Sequence, residues 1–227
     1  QGVYPASCGE RVWAAAYPDA KSFAARAVEG MWRELGGKLT GSVRDGKVPP
    51  GLKPVFVATA PALAEVVRDV NKFSNNVMAQ HVFLALARQK GGVATMDGAR
   101  ETLRQWWQAR FADVDAPAPD NGAGLSRDAR ITAQALARML QAAWASPVMP
   151  ELVASLPIAG VDGTLRRSQS RSAAHLKTGS LRDVMAVGGY VHAQSGRRYV
   201  LVAIVNHPNA NAARPVLDAL TDWAAKD

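Results

Sequence analysis

Three strand-like segments near the C-terminal end restrict the possible folds of the chain more than any other feature. They cover residues 174–180, 184–193 and 198–205. The last two are joined by Ala193-Gln194-Ser195-Gly196, which is typical of a hairpin turn. A helical pattern with an apolar face follows over residues 210–225 and would pack on the resulting sheet. The sequence therefore predicts an antiparallel sheet flanked by helices, which is an α+β fold.

Helical periodicity dominates the chain before this sheet. We predict helices over residues 21–35, 59–72, 77–90, 96–111, 132–144 and 151–156. Short strand-like patterns predict two further strands, at 38–44 and 55–58. Trp106 and Trp107 are interpreted as core residues rather than as a stacking platform for bases or sugars.

The chain is basic, with 27 lysine and arginine residues, 19 aspartate and glutamate residues and a formal net charge of +8. Such a charge suits nucleic acid or an anionic polymer of the cell envelope. The basic residues are scattered and no basic stripe is interleaved with aromatic residues, so we expect no nucleic-acid partner. No run of about 18 apolar residues occurs, so we expect no transmembrane segment. The chain begins at Gln1 without an initiator methionine, and we expect it to be processed or cut from something longer.

The sequence offers no set of residues that is typical of a metal site. It has one cysteine, Cys8, and four dispersed histidines, His81, His175, His192 and His207. None of them shows the spacing of metal ligands. We therefore expect neither a metal nor another cofactor.

Two short polar motifs could carry chemistry. Lys177-Thr178-Gly179-Ser180 brings an ammonium group, two hydroxyls and a glycine together on a strand-like segment, where they could face a carboxylate or an oxyanion. The same tetrapeptide is common in solvated turns. Ser74-Asn75-Asn76, between two predicted helices, also has the composition of a helix N-cap. His175, two residues before Lys177, is interpreted as a structural histidine.

Together and in this order, the Ser-x-Asn and Lys-Thr-Gly motifs are two of the three signatures of active-site serine penicillin-recognising enzymes. The chain resembles the penicillin-binding D-alanyl-D-alanine carboxypeptidase/endopeptidases, the class C low-molecular-mass penicillin-binding proteins. The similarity spans about residues 21–225 and rests on stretches 72–76, 122–127, 156–165 and 177–181. It implies the β-lactamase/transpeptidase-like α+β fold, with an antiparallel sheet flanked by helices.

The resemblance implies catalytic roles for three residues. The Ser74 hydroxyl would relay a proton toward the leaving amine. Asn76 would hydrogen-bond the substrate amide and the side chain of the lysine in the family's remaining signature. Lys177 would supply a positive field beside the proton relay and the substrate carboxylate.

Three further residues would bind substrate, again as the resemblance implies. The hydroxyls of Thr178 and Ser180 would hold the terminal carboxylate of the substrate. The backbone N–H of Ser180 would be one oxyanion donor. Gly179 would leave room for the substrate to lie against the strand edge.

One signature of the family is missing from this sequence. The family nucleophile lies in Ser-x-x-Lys, and no serine of this chain has a lysine three residues on. A smaller departure is Asn121, just before the stretch 122–127, where members of the family usually have aspartate. We interpret residues 1–227 as the C-terminal portion of the penicillin-binding domain, incomplete without its N-terminal part, with residues 1–20 as an irregular lead-in from an accessory region. The chain alone is expected to be inactive.

The predicted function is part of a periplasmic serine D-Ala-D-Ala carboxypeptidase/endopeptidase. Such an enzyme cleaves peptidoglycan peptide stems and cross-links through an acyl-enzyme. The expected partners are peptidoglycan peptides and β-lactam antibiotics, the latter bound covalently only with the missing nucleophile. Two alternatives stay open: a non-catalytic peptidoglycan-binding module that keeps the groove, and a β-lactamase-like serine hydrolase.

Overall fold

The computed structural model describes residues 3–10, 12, 17–89, 91 and 93–227. Chain contacts divide the molecule into two compact units, Gln1–Ala58 and Thr59–Asp227. The predicted lead-in over residues 1–20 falls partly outside the described residues. The predicted end of the second helix of the larger unit, at Lys90, also lies outside them.

The described part of the first unit contains a 3₁₀ turn, Ala6–Cys8, and one helix, α1, Ala20–Glu34. The two strands predicted at 38–44 and 55–58 are wrong, because the structure has irregular backbone there. A strand needs a neighbour for its backbone N–H and C=O groups, and no described segment of this unit pairs with either stretch. Val55 and Phe56 are accordingly exposed.

Six α-helices and a three-stranded sheet build the described part of the second unit. The helices are α2 Leu63–Phe73, α3 Asn76–Arg88, α4 Met96–Gln108, α5 Ala133–Trp144, α6 Met149–Ser155 and α7 Arg214–Ala225. Each corresponds to a predicted helix, although α7 is preceded by a 3₁₀ turn, Ala210–Ala213, that the periodicity merged with it. Side-chain oxygens cap three of these helices, since Asn75, Thr95 and Thr132 accept hydrogen bonds from the first turns of α3, α4 and α5.

The sheet confirms the prediction made from the C-terminal segments. Its strands are β1 Ala174–Leu181, β2 Val184–His192 and β3 Arg198–Asn206, in the order β1-β2-β3. Both pairs are antiparallel, with Lys177 opposite Gly188 and Gly188 opposite Val202. The predicted and observed strands agree to within one residue at each end.

Helices cover both faces of this sheet. On one face, Leu176 and Val187 belong to a core cluster with Leu217 of α7. On the other face, Tyr190 is 1% exposed and packs with Leu140 of α5. The Tyr190 hydroxyl donates to the Leu140 carbonyl at 2.7 Å, which satisfies its polar end inside the core. This layering confirms the α+β fold.

The tryptophan pair divides between core and surface. Trp107 is 1% exposed and packs in a cluster with Phe111, as predicted. Trp106 is 36% exposed, and the Arg110 guanidinium lies 4.9 Å from its ring centroid. The core prediction is therefore confirmed for Trp107 and wrong for Trp106. Across the described ranges, no helix has the length and apolar character needed to cross a membrane.

Candidate functional site

Ser74 occupies the sharp turn between α2 and α3. Its backbone is left-handed, with φ 52° and ψ 48°, which is uncommon for a residue other than glycine. Asn75 is the N-cap of α3, and its side-chain oxygen accepts a hydrogen bond from the Met78 N–H at 3.1 Å. The N-cap interpretation is thus correct for Asn75. Because Asn75 supplies the cap, the Ser74 hydroxyl is available for another contact.

Three polar contacts hold the end of α2. The Lys72 ammonium, whose side chain is 12% exposed, donates to an Asp162 carboxylate oxygen at 2.6 Å and to the Leu156 carbonyl at 2.7 Å. One residue earlier, the Asn71 amide donates to the Ser155 hydroxyl at 2.8 Å. The helix end that carries Ser74 is therefore attached to α6 and to the segment after it.

That segment, residues 157–165, is here called the 157–165 loop. Asp162 accepts the Ile158 N–H at 2.8 Å with the oxygen that Lys72 does not use. Burial acts to raise the pKa of Asp162, but the hydrogen bonds from Lys72 and Ile158 outweigh it and hold the pKa below its ordinary value. Gly163 has φ 53° and lies against the backbone of Lys72, so that a Cβ there would be 2.5 Å from the Lys72 carbonyl oxygen.

The outer edge of β1 is covered only over its first half. Residues 157–159 lie beside it, and the Leu176 N–H donates to the Pro157 carbonyl at 2.9 Å. Alternate residues of an antiparallel strand direct their backbone groups to opposite sides, so the N–H groups of Thr178 and Ser180 point the same way as that of Leu176. Beyond Leu176, no backbone-to-backbone hydrogen bond on that side occurs within the described part of the chain. As far as the described residues go, the edge is therefore free of backbone pairing from Thr178 onward, and it is called the open edge below.

Lys177 connects β1 with the turn that carries Ser74. Its ammonium group donates to the Ser74 hydroxyl oxygen, and to the Thr178 carbonyl at 2.9 Å. Burial lowers the pKa of Lys177 below its ordinary value. Among the described residues, no carboxylate forms an ion pair with this ammonium. The site therefore contains a partly buried cation without a counter-charge.

The other predicted site residues lie around this contact. Asn76 begins α3 and is partly buried, and its side chain makes no hydrogen bond within the described residues. The Thr178 hydroxyl is 2.7 Å from the Thr164 hydroxyl. Ser180 is exposed on the open edge. A Cβ at Gly179 would make only an ordinary contact, 3.4 Å from the Ala186 Cβ, so packing within the protein does not require glycine there.

Three residues of the site were assigned no role from the sequence: Lys72, Asp162 and Thr164. All three lie in stretches on which the family resemblance rests, 72–76 and 156–165. The available signal was the pair of glycines that bracket Val161 and Asp162, which indicates a tight and specifically shaped loop. That signal does not say which partners the loop holds.

His175 is structural, as predicted. Its Nδ1 lies 3.1 Å from the Val153 carbonyl, and its ring centroid is 5.5 Å from that of His192. The described residues contain no group of three or more histidine, cysteine, aspartate or glutamate side chains that could hold a metal.

These contacts define what the site can do chemically. The open edge of β1 carries the Lys177 ammonium group, and it also carries the hydroxyls and the outward-facing backbone N–H groups of Thr178 and Ser180. All of these are hydrogen-bond donors, and one is charged, so the arrangement favours an anionic acceptor with more than one oxygen. Ser74 accepts a hydrogen bond from Lys177, which leaves its own proton free to be donated elsewhere.

Comparison with known proteins supports a specific family. The family model of the D-Ala-D-Ala carboxypeptidase 3 (S13) family matches residues 1–227. A D-alanyl-D-alanine carboxypeptidase of Actinomadura sp. (strain R39) is 29% identical over 187 residues, covering 77% of this chain and 34% of the relative. The carboxypeptidase DacB of Mycolicibacterium smegmatis is 32% identical over 174 residues, covering 72% of this chain and 37% of the relative.

Solved structures share the fold. Penicillin binding protein 4 of Haemophilus influenzae, solved in complex with a β-lactam, superposes with a TM-score of 0.77 at 21% identity. The match covers 91% of this chain and 52% of that protein. The chain thus spans about half the length of that structure and about a third of the length of the two curated relatives. The family model covers the whole chain, and the chain belongs to the D-Ala-D-Ala carboxypeptidase 3 (S13) family.

Proposed function

We propose that the open edge of β1 beside Lys177 binds the terminal carboxylate of a peptide ending in D-Ala-D-Ala. The observation that carries this proposal is the Lys177 ammonium, which is partly buried and has no carboxylate partner among the described residues. Burying a cation without a counter-charge is unfavourable, and an anionic ligand would remove that cost. Membership of the S13 family supports D-Ala-D-Ala as the peptide end.

The neighbouring residues would hold the rest of the peptide end. The hydroxyls of Thr178 and Ser180 lie on the same side of β1 and would donate to the carboxylate. The outward-facing N–H of Ser180 would donate to the oxygen of the scissile carbonyl. Gly179 would let the peptide approach the strand closely. A side chain at this position would fit the packing of the protein itself, so the ligand gives a reason for glycine that the fold does not.

In a molecule that also carries a Ser-x-x-Lys nucleophile, this site would serve acyl transfer. The serine oxygen would bond to the carbonyl carbon of the penultimate D-Ala, the C–N bond to the last D-Ala would break, and water would later hydrolyse the ester. Ser74 would relay the proton that the nucleophilic serine gives up: its hydroxyl would donate a proton to the leaving amine and take up that one in its place, while Asn76 would bind the substrate amide. The proposal includes carboxypeptidase and endopeptidase action on peptidoglycan, β-lactam recognition and a periplasmic location.

Residues 1–227 themselves contain no serine with a lysine three residues on. This observation favours a second candidate function for the chain as it stands, a peptidoglycan-binding module without catalysis. The two functions share the carboxylate site and differ only in whether a covalent bond forms.

We expect the chain to bind N-acetyl-D-Ala-D-Ala more tightly than the same peptide with a C-terminal amide, because the amide lacks the charge that Lys177 needs. Charged hydrogen bonds contribute about 2 kcal/mol, so the dissociation constants should differ by about 30-fold. NMR titration of the ¹⁵N-labelled chain measures both constants. Equal binding of the acid and the amide would refute the carboxylate site.

We also expect no covalent product with penicillin. Without the Ser-x-x-Lys nucleophile, most of the acylation rate should be lost, since the residues of such a site act together. Incubation with a fluorescent penicillin, followed by denaturing electrophoresis, measures any adduct. A labelled band would show that another serine of this chain is the nucleophile, and peptide mass mapping would identify it.

A further inference from the structure

We infer that Thr164 is a positioning residue for the carboxylate site, acting through the hydroxyl of Thr178. The two side-chain oxygens are 2.7 Å apart, which is a good distance for a hydrogen bond between hydroxyls. The two residues are 14 positions apart in sequence and lie on different elements, the 157–165 loop and β1. The inference rests on the proposed function and adds a residue that selects the ligand's chemistry.

The direction of this hydrogen bond depends on the ligand. A carboxylate only accepts hydrogen bonds, so Thr178 must use its single proton to donate to it. Thr178 can then take part in the bond with Thr164 only as the acceptor, and Thr164 must be the donor. The result is a chain of donors that runs from Thr164 to Thr178 to the carboxylate. Each bond in such a chain polarises and strengthens the next.

An amide ligand does not impose this direction. Its NH₂ group can donate to Thr178, which then donates to Thr164 instead. Without Thr164, the Thr178 hydroxyl loses both its orientation and its polarisation by a donor. The bond to a carboxylate should therefore weaken more than the bond to an amide, and Thr164 contributes to the preference for a free C-terminus.

The position of Thr164 is set by contacts that do not involve the ligand. Thr164 follows Gly163, which lies against the Lys72 backbone, and Asp162, which is paired with the Lys72 ammonium. The same loop therefore contacts both walls of the site, the helix end that carries Ser74 and, through Thr164, the strand that carries Thr178. Thr164 itself is exposed, so its side chain can be changed without opening a core.

The test compares Thr164→Val, which removes the hydroxyl at nearly constant shape, with Thr164→Ser, which keeps it. Thr164→Ala is measured beside them, so that the second methyl of valine is not mistaken for the cause. For each 227-residue chain, NMR titration gives dissociation constants for N-acetyl-D-Ala-D-Ala and for its C-terminal amide. We expect the preference for the acid to fall by about threefold in the valine and alanine variants and to stay within about twofold of wild type in the serine variant.

A double-mutant cycle tests whether Thr164 acts through Thr178. In the Thr178→Val background, Thr164→Val should cause no further loss of acid preference, since the pair works as one unit. An unchanged preference in Thr164→Val, or equal weakening of both ligands, would overturn the inference while leaving the carboxylate site in place. A further loss of acid preference in the Thr178→Val background would also overturn it. A wild-type chain with no acid preference would overturn the proposed function and, with it, the role of Thr164.

Discussion

Replacing Gly163 with alanine is expected to destabilise the second unit by roughly 3 kcal/mol. Two effects combine at this position. The backbone has φ 53°, where a side chain is strained, and the new Cβ would lie 2.5 Å from the Lys72 carbonyl oxygen. A contact that short requires the backbone of the 157–165 loop or of α2 to move, because a carbonyl oxygen cannot rotate away as a flexible side chain can.

Gly124→Ala is the matched control for this prediction. Gly124 also has a positive φ, 78°, but a Cβ there meets no atom within 4 Å. This variant should therefore show only the backbone strain, about 1 kcal/mol. Urea unfolding, followed by tryptophan fluorescence, measures both free energies. Equal losses in the two variants would mean that Gly163 is needed only for its backbone conformation and not for close approach to α2.

The displacement of the 157–165 loop in Gly163→Ala should also change the NMR signals of residues at the site. Since the loop holds Lys72 through Asp162, displacing it would shift the helix end that carries Ser74. The amide signals of Ser74 and Lys177 are expected to move in Gly163→Ala and to stay in place in Gly124→Ala. This comparison distinguishes a change that reaches the site from a general loss of stability.

The sheet could be predicted from the sequence because its signals are local. Each strand has its own run of strand-forming residues, and the turn at 193–196 determines which strands are neighbours. The predicted strands at 38–44 and 55–58 had similar patterns but no partner within the described residues of their unit. Local patterning indicates that a segment can form a strand, whereas pairing decides whether it does.

The site could not be assembled from spacing alone. Ser74 and Lys177 are 103 residues apart, and no periodicity indicates that they touch. Their association was predicted only because two motifs of a known family occur together. The contacts that hold them in place, from Lys72 to Asp162 and from Thr164 to Thr178, link the 157–165 loop to a helix and a strand. Such contacts between single polar residues depend on the tertiary fold and leave no repeating pattern in the sequence.

The Lys177→Met variant is expected to lose the preference for a C-terminal carboxylate and to gain stability. Methionine keeps much of the length of the lysine side chain and removes the charge. Affinity for N-acetyl-D-Ala-D-Ala should fall by about 30-fold, the contribution of a charged hydrogen bond, while affinity for the amide should change little. Without ligand, removing a partly buried ammonium that has no carboxylate partner should raise the free energy of unfolding by about 1 kcal/mol.

Lys226→Met is the control, because Lys226 is exposed and its loss lowers the net charge by the same amount. It should leave both binding and stability almost unchanged. A loss of stability in Lys177→Met would instead show that the bonds from Lys177 to Ser74 and to the Thr178 carbonyl outweigh the cost of burying the ammonium. Lys177 would then stabilise the fold by linking β1 to the turn at Ser74, and its ammonium group would not need an anionic ligand.

The pH dependence gives an independent check of the same charge. Burial lowers the pKa of Lys177 in the folded chain below the ordinary 10.5. Between the folded and the unfolded pKa of Lys177 the unfolded state binds more protons at this residue, so Lys177 should make the stability rise with pH across that window. Burial raises the pKa of Tyr190, which acts in the opposite direction at high pH, so the difference in stability between the wild type and Lys177→Met measures the contribution of Lys177. Carboxylate binding should fall across the same window, because the ammonium that attracts the ligand is lost. In Lys177→Met both trends should be absent, which would assign the stability cost and the carboxylate affinity to one ammonium group.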